Sequence, residues 1–334
     1  MEAATVRAES PPGEHLREFT RAHPAAAAFA VLAVIALVLL VSHGLHALAQ
    51  ATVDGMTLGT IYALGAVGLT LVYGILRLVN FAHGDFLTFG AYMAYLVNVT
   101  WGLPLVAAIL FAMATTALLG VVTERVMWRP MRQKGAGFLQ LILMSLGLAF
   151  LIRSTVQWFW GSEIRTLEVN ITSSVEFLGL RMGRTELMVV IVGLAVLIAV
   201  GLMIRYSLLG KQMRALSDDI DLAETAGIDT RRVILYTWVF SGALAGLAGV
   251  LAGALTNLQP GFGFDLLLPI FAAVILGGIG NPFGALTGGL VLGAVIEWST
   301  LVFEPRWKVT FGFVALIVAL IIRPQGIFGQ ARAP

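Results

Sequence analysis

The chain is dominated by apolar runs that follow one another with only short polar breaks. Ten can be marked, at 25–41, 55–76, 86–99, 103–121, 138–160, 187–204, 233–256, 266–280, 283–303 and 309–322. Several approach the roughly 20 residues that carry a helix across a bilayer. Inside lipid only helices and closed barrels satisfy their own backbone polar groups. These runs lack the strict alternation of a barrel strand, so the expected fold is all-α, a polytopic helical membrane bundle of about ten spans. The runs 86–99, 266–280 and 309–322 are the weakest; if the first two re-enter the membrane, eight spans remain. Composition agrees: 58% of residues are hydrophobic and 12% charged, against about a quarter charged in soluble domains.

Lys and Arg set the orientation. With the N-terminus inside and ten crossings, fifteen basic residues fall on the inner side, among them Arg77, Arg125, Arg129, Arg132 and Arg231. Five fall outside: Arg165, Arg181, Arg184, Arg306 and Lys308. Arg153 lies within a span. The expectation is a multi-pass protein of the inner (plasma) membrane with both termini cytoplasmic: an extension at 1–24, a membrane domain at 25–322 and a tail at 323–334. Ala47-Leu48-Ala49 resembles a signal cleavage site, but the long acidic stretch before the first run favours an uncleaved span. The two long loops are 161–186, outside, and 205–232, inside. Asn170-Ile171-Thr172 matches a glycosylation acceptor.

Several chemistries are excluded or disfavoured. There is no cysteine, hence no disulfide or thiolate site. A net charge of +2 does not suggest nucleic acid. His43 and His46 stand three apart without a nearby acid, so no metal site is expected. No nucleophile, base and metal set clusters at one depth, so the chain does not read as an enzyme.

Two segments carry polar groups into this apolar background. The first, 77–92, reads RLVNFAHGDFLTFGAY. It reads as a turn at the inner surface, with Arg77 obeying the positive-inside rule and Asp85 capping the next helix. The second, 257–265, runs from Asn257 to Asp265 before another short span. The groups 55–160 and 233–322 thus begin from opposite sides, and each has a short second span after a polar linker. Such a pattern points to an inverted repeat with a solute pathway between the halves. Polar candidates for that pathway are Asn80, His83, Asp85 and Asn257.

The inner loop predicts a short helix at about 218–226. Ser217 is its N-cap, Asp218 lies in its first turn, and Gly227 takes the left-handed position that ends it. Leu216, Ile220 and Ala223 share one apolar face. That face either packs on the span ends of this chain or docks a cytoplasmic partner. Two charges inside spans, Arg153 and Glu297, both lie roughly 10 Å below the outer surface and are expected to pair or to snorkel separately. Gly242/Gly246, Gly249/Gly253, Gly280/Gly284/Gly288 and Gly289/Gly293 are spaced for close helix contact.

Together these segments resemble a known family. Asn80-Phe81-Ala82-His83-Gly84-Asp85 with Gly90-Ala91-Tyr92, Arg214-Ala215 with Ala226-Gly227-Ile228-Asp229, and the 240–249 run FSGALAGLAG are similar to the LivH-type permeases of branched-chain amino acid ABC importers. The likeness runs from about 50 to 328. Ser217-Asp218-Asp219 departs from it where the family often has an Asn, and 1–24 lies outside it. The resemblance implies a permease subunit paired with a second, related permease. It also implies two ABC ATPases that use ATP and Mg and dock on the 205–232 loop, and an extracytoplasmic solute-binding protein. This chain itself would hold no cofactor: it has no Gly-x4-Gly-Lys-Ser/Thr loop. Rival readings are a related permease for urea, amides or sugars, and a secondary transporter working without ATPases.

Overall fold

The computed structural model describes residues 24–169, 173–177, 179–322 and 325–328. Residues 1–23 of the expected extension, the 170–172 glycosylation match and most of the 323–334 tail lie outside the described residues.

The first helix, α1 (Pro24–Leu76), is interrupted at Gly44, whose φ of 83° and ψ of 165° only glycine adopts without strain. It stops at Arg77, a non-glycine residue with φ of 52°. After an irregular stretch, α2 (His83–Tyr95) continues into a π-turn at Leu96–Thr100. Pro104 opens α3 (Leu105–Thr123). A second π-turn, Glu124–Trp128, leads to the short α4 (Arg129–Gln133). Next come α5 (Phe138–Trp160), a hairpin of β1 (Ser174–Phe177) and β2 (Leu180–Gly183) with Ser174 opposite Gly183, and α6 (Arg184–Tyr206). Two short helices, α7 (Leu208–Asp218) and α8 (Ile220–Thr225), precede α9 (Thr230–Gly253). Then follow α10 (Phe262–Gly277), α11 (Pro282–Ser299) and α12 (Lys308–Ile322). Side chains fix the starts: Asp229 Oδ1 accepts from the Arg232 N–H at 3.1 Å, and Asn281 Oδ1 accepts from Phe283 and Gly284.

Every expected apolar run lies on a helix, but ten crossings are not established. Among the described residues, six helical stretches are long and apolar enough to cross a membrane: Phe29–Leu76, Leu105–Gln133, Phe138–Trp160, Arg184–Tyr206, Thr230–Gly253 and Pro282–Ser299. The first, with 48 residues, would be about 70 Å long as one rod, more than twice the apolar thickness of a bilayer, and it bends at Gly44. By contrast α2, α10 and α12 have 13, 16 and 15 residues, about 20–24 Å each.

The polarity of the packing is that of a protein in lipid. Large apolar side chains face outward on α5 and α6, among them Phe150, Leu151, Ile191 and Ile198. The interior belongs to α9, whose residues 244–253 are all buried. It packs on α1, α2 and α3, while α11 packs on α1. Small residues make these crossings close: a Cβ on Gly55 would stand 2.8 Å from Ala294 Cα, and one on Gly59 2.9 Å from Leu290 Cα.

Candidate substrate pathway and docking surface

Two short helices start beside each other in the middle of the bundle. Gly84, in the first turn of α2, lies against Gly263, in the first turn of α10. Thr88 Oγ1 accepts from the Gly263 N–H at 2.9 Å, and Leu267 reaches back to Gly84. Residue 84 therefore faces 263 and 267, and residue 88 faces 263, so the helices overlap antiparallel by one turn, N-terminus to N-terminus. Neither first turn has room for a side chain at its glycine. A Cβ on Gly84 would stand 3.1 Å from Leu267 Cβ, and one on Gly263 would sit 2.6 Å from Thr88 Oγ1.

The segment leading into α2 is more deeply placed than a surface turn. Asn80, His83 and Asp85 are all buried. The His83 Nε2 lies 2.9 Å from the carbonyl of Gly65, eleven residues back from the end of α1. A carbonyl can only accept, so Nε2 carries the proton. Chain 77–82 thus climbs back along α1 by roughly 16 Å, and α2 begins at mid-bundle. Two hydrogen bonds hold this path: Asn80 Oδ1 accepts from the Ala82 N–H, and Ser145 Oγ accepts from the Phe81 N–H. Gly68 separates the His83 ring from the Ser241 backbone. Near these groups, Asn80 Nδ2 and Ser241 Oγ are buried without a hydrogen-bond partner among the described residues.

Asp85 does not cap α2, because the helix has already begun at His83 and its carboxylate turns sideways. Arg153 of α5 binds it through two hydrogen bonds, Nε to Oδ1 at 3.0 Å and Nη2 to Oδ2 at 3.4 Å. The guanidinium also lies over Phe264, 4.8 Å from the ring centre. The expected Arg153–Glu297 pair is therefore replaced. Glu297 instead takes at 2.9 Å the Nζ of Lys308, the first residue of α12, which the link through the 3₁₀ turn Pro305–Trp307 brings alongside it. Asn257 is exposed, on the loop where Leu258 and Arg165 exchange backbone hydrogen bonds. It does not join Asn80, His83 and Asp85.

The 205–232 loop differs from its expected form in one respect: the helix is split. Ser217 is not a cap but lies inside α7, where its Oγ donates to the Gly74 carbonyl at 3.1 Å. Asp219, at φ −157°, breaks the helix and caps α8 by accepting from the Leu222 N–H. Asp218 is exposed at the end of α7, and Ile220, half-buried, opens α8. Gly227, at φ 85°, ends α8 with Gly227 N–H to Glu224 and Ile228 N–H to Ala223, a Schellman pair. Leu216 and Ala223 bury into a small core with Ile75, Met213 and Val233, so the expected apolar face packs on this chain. What α8 presents outward is Leu222, 68% exposed, between Asp221 and Glu224. Arg77 ties the two regions, donating from Nη2 to the Ser217 carbonyl at 3.1 Å.

Sequence reading missed Gly65, Thr88, Ser145, Ser241 and Leu222. Leu222 falls off the 216–220–223 face, Gly65 and Ser145 are single small residues in apolar helices with no local signal, and Thr88 and Ser241 lie inside the 77–92 and 240–249 segments without a feature that singles them out there.

This is a polytopic α-helical membrane protein whose polar interior gathers around two opposed helix starts. The family described as "Branched-chain amino acid transport system / permease component" matches residues 51–320, and the chain belongs to it. It is 32% identical over 295 residues to the high-affinity branched-chain amino acid transport system permease protein BraD of Pseudomonas aeruginosa, covering 84% of this chain and 95% of that protein. LivH of Salmonella typhimurium is 32% identical over 296 residues, with the same coverage. LivM, a permease protein of the corresponding system in Escherichia coli K12, is 28% identical over 309 residues, 85% of this chain and 72% of that protein. The chain is a multi-pass inner-membrane transport permease subunit and not an enzyme.

Proposed function

We propose that this subunit forms half of the translocation pathway of an ATP-driven importer for branched-chain amino acids. The observation that carries the reading is the antiparallel meeting of α2 and α10. Their neighbours repeat the relation: α9 packs on α3 as α1 packs on α11, and α5 borders α2 as α12 borders α10. That reciprocity supports an inverted repeat of 55–160 and 233–322, in which α2 and α10 are the discontinuous spans of a ten-span membrane domain, 25–322. Both termini, the 1–24 extension and the 323–334 tail are then cytoplasmic. Helix N-termini meeting at mid-membrane suit a solute carboxylate. Asn80 and His83 line that level with the unpaired Ser241 Oγ. Asp85 holds the helix start in place, and Asn257 stands at the outer mouth.

Two ATPase subunits, carrying ATP and Mg, dock on α7–α8 and deliver their motion through Ser217 and Arg77 to the start of 77–83. Asp218, Ile220, Ala223 and Gly227 shape that docking unit. A second, related permease completes the pathway, and an extracytoplasmic binding protein loads it. Escherichia coli K12 carries two permease proteins, LivH and LivM, that are both similar to this chain, which supports the related partner. Membrane lipid surrounds the assembly, and no nucleic acid takes part.

The test is uptake by proteoliposomes holding the complex purified with its retained subunits. Labelled leucine should enter only with ATP and binding protein. Asn80→Ala and His83→Ala should each lower uptake at least about tenfold while leaving assembly intact. Leucine uptake driven by an ion gradient alone would point to a secondary transporter. Urea, amide or sugar uptake without leucine uptake would move the substrate to those classes.

A further inference from the structure

At the end of α3 nearest the 205–232 loop the chain gathers more positive charge than the one carboxylate beside it, Glu124, offsets. The π-turn Glu124–Trp128 and α4 turn Arg125, Arg129 and Arg132 toward Arg231 of α9, around a cavity of about 130 Å³ that Glu124 and Gln133 also line. This is roughly ten times the space one water needs. Arg132 is committed, pairing with the buried Glu124 carboxylate. Arg125, Arg129 and Arg231 have no ion pair among the described residues, so the cavity carries a net charge near three. The π-turn that carries Arg125 is anchored beside the cavity by Trp128, which is fully buried and stacks on Trp238, ring centres 6.0 Å apart and planes 10° off parallel. Guanidinium groups converging on one cavity repel one another unless an anion lies between them, and their planar forks match phosphate oxygens.

The surface beside the cavity says which phosphate. Val106, Leu110, Ala114, Leu118, Val122 and Val126 are all exposed and spaced four apart. Each step of four turns about 40° around the axis, so the six wind about the helix, and the last three, Leu118, Val122 and Val126, form the apolar stripe that ends next to Arg125. A basic pocket at the foot of an apolar stripe has the shape of a phospholipid, headgroup below and acyl chain above. We propose that this cleft is a binding site for an anionic phospholipid of the inner leaflet, the phosphate held by Arg125, Arg129 and Arg231 and an acyl chain lying along the α3 stripe. The leaflet rests on the orientation proposed above; the binding itself does not. Basic pockets between helices at the cytoplasmic surface are a recurrent solution for anionic headgroups.

The test reads lipid retention and not transport, so it stands apart from the function proposed above. The assembled complex is equilibrated in detergent with equal phosphatidylglycerol and phosphatidylcholine, and retained lipids are counted by native mass spectrometry. Phosphatidylglycerol should be preferred at least about tenfold, each of R125Q, R129Q and R231Q should about halve that preference, and the triple variant should abolish it. The R181Q/R306Q variant removes charge at the other end and should keep it. Should the triple variant not assemble, R125Q alone, at an exposed position, gives the comparison, and the wild-type preference is itself decisive. Equal retention of the two lipids by the wild type, or an unchanged preference in the variants, overturns the proposal. So does thermal stabilisation by inorganic phosphate equal to that by phosphatidylglycerol, which would make the site one for a free anion. Loss of ATPase subunits with lipid retention intact would instead make the cleft a protein contact.

Discussion

Asp85 has no exposed surface in a protein otherwise matched to lipid, and Arg153 binds its carboxyl group through two guanidinium nitrogens. Removing one partner of a buried pair leaves the other without compensation, at a cost of about 3–5 kcal/mol. Asp85→Ala and Arg153→Ala should therefore each reduce the amount of folded permease recovered from membranes and lower its thermal midpoint. Arg153→Lys should fall between, since an ammonium makes one of the two bonds and loses the stacking on Phe264. Unchanged midpoints in both alanine variants would show that the pair carries no weight. In the sequence Arg153 was visible as an isolated ion within a span and Asp85 as a helix cap in a polar surface turn. Their pairing was not, because the expected depth of Asp85 assumed that 77–85 stays at the surface. The six residues after α1 climb back along it, and that path is held by contacts to Gly65 and Ser145, residues with no sequence signature.

At the scale of elements, the informative join is between α1 and α7. Arg77 sits in left-handed backbone, which costs a non-glycine residue about 1–2 kcal/mol. Such strain is kept where the side chain has work to do. Here it reaches the Ser217 carbonyl, while Ser217 Oγ reaches back to Gly74. Arg77→Gly separates the two roles: it relieves the backbone and deletes the guanidinium. The expected result is a thermal midpoint equal to or above wild type together with transport at least about fivefold lower at unchanged ATPase content. Full transport in Arg77→Gly would mean that α7 passes no motion through this residue. Leu222 is the complementary case, an exposed apolar side chain on α8. Leu222→Glu should leave the permease folded and strip the ATPase subunits during purification. The loop was legible as a helix ending at Gly227, since that glycine is a local signal. The break at Asp219 was not, because Ser217 and Asp219 are both good caps and only the contact with Gly74 decides between them.

For the whole molecule the decisive contact is the one between its two halves. The sequence showed two short spans after two polar linkers, but not that their first turns touch, a relation that joins residues some 180 positions apart. At that contact Gly84 and Gly263 leave no room for a side chain, and a Cβ on Gly263 would strike the Gly84 carbonyl. Gly263→Ala must push α10 away from α2 and break the hydrogen bond from its N–H to Thr88, which should cost about 1–3 kcal/mol. Because the same glycine sits where the two helix starts meet, at the level we propose for the pathway, transport should fall further than stability does. Gly147 supplies the control: it is a helical glycine on α5 with open space around its Cβ position. Gly147→Ala should be neutral or raise stability by up to about 1 kcal/mol, through helix propensity alone. Thermal midpoints of both variants, read beside leucine uptake, separate a general intolerance of added volume from a specific need for the two halves to meet. If Gly263→Ala transports like Gly147→Ala, the meeting of α2 and α10 is packing and not pathway.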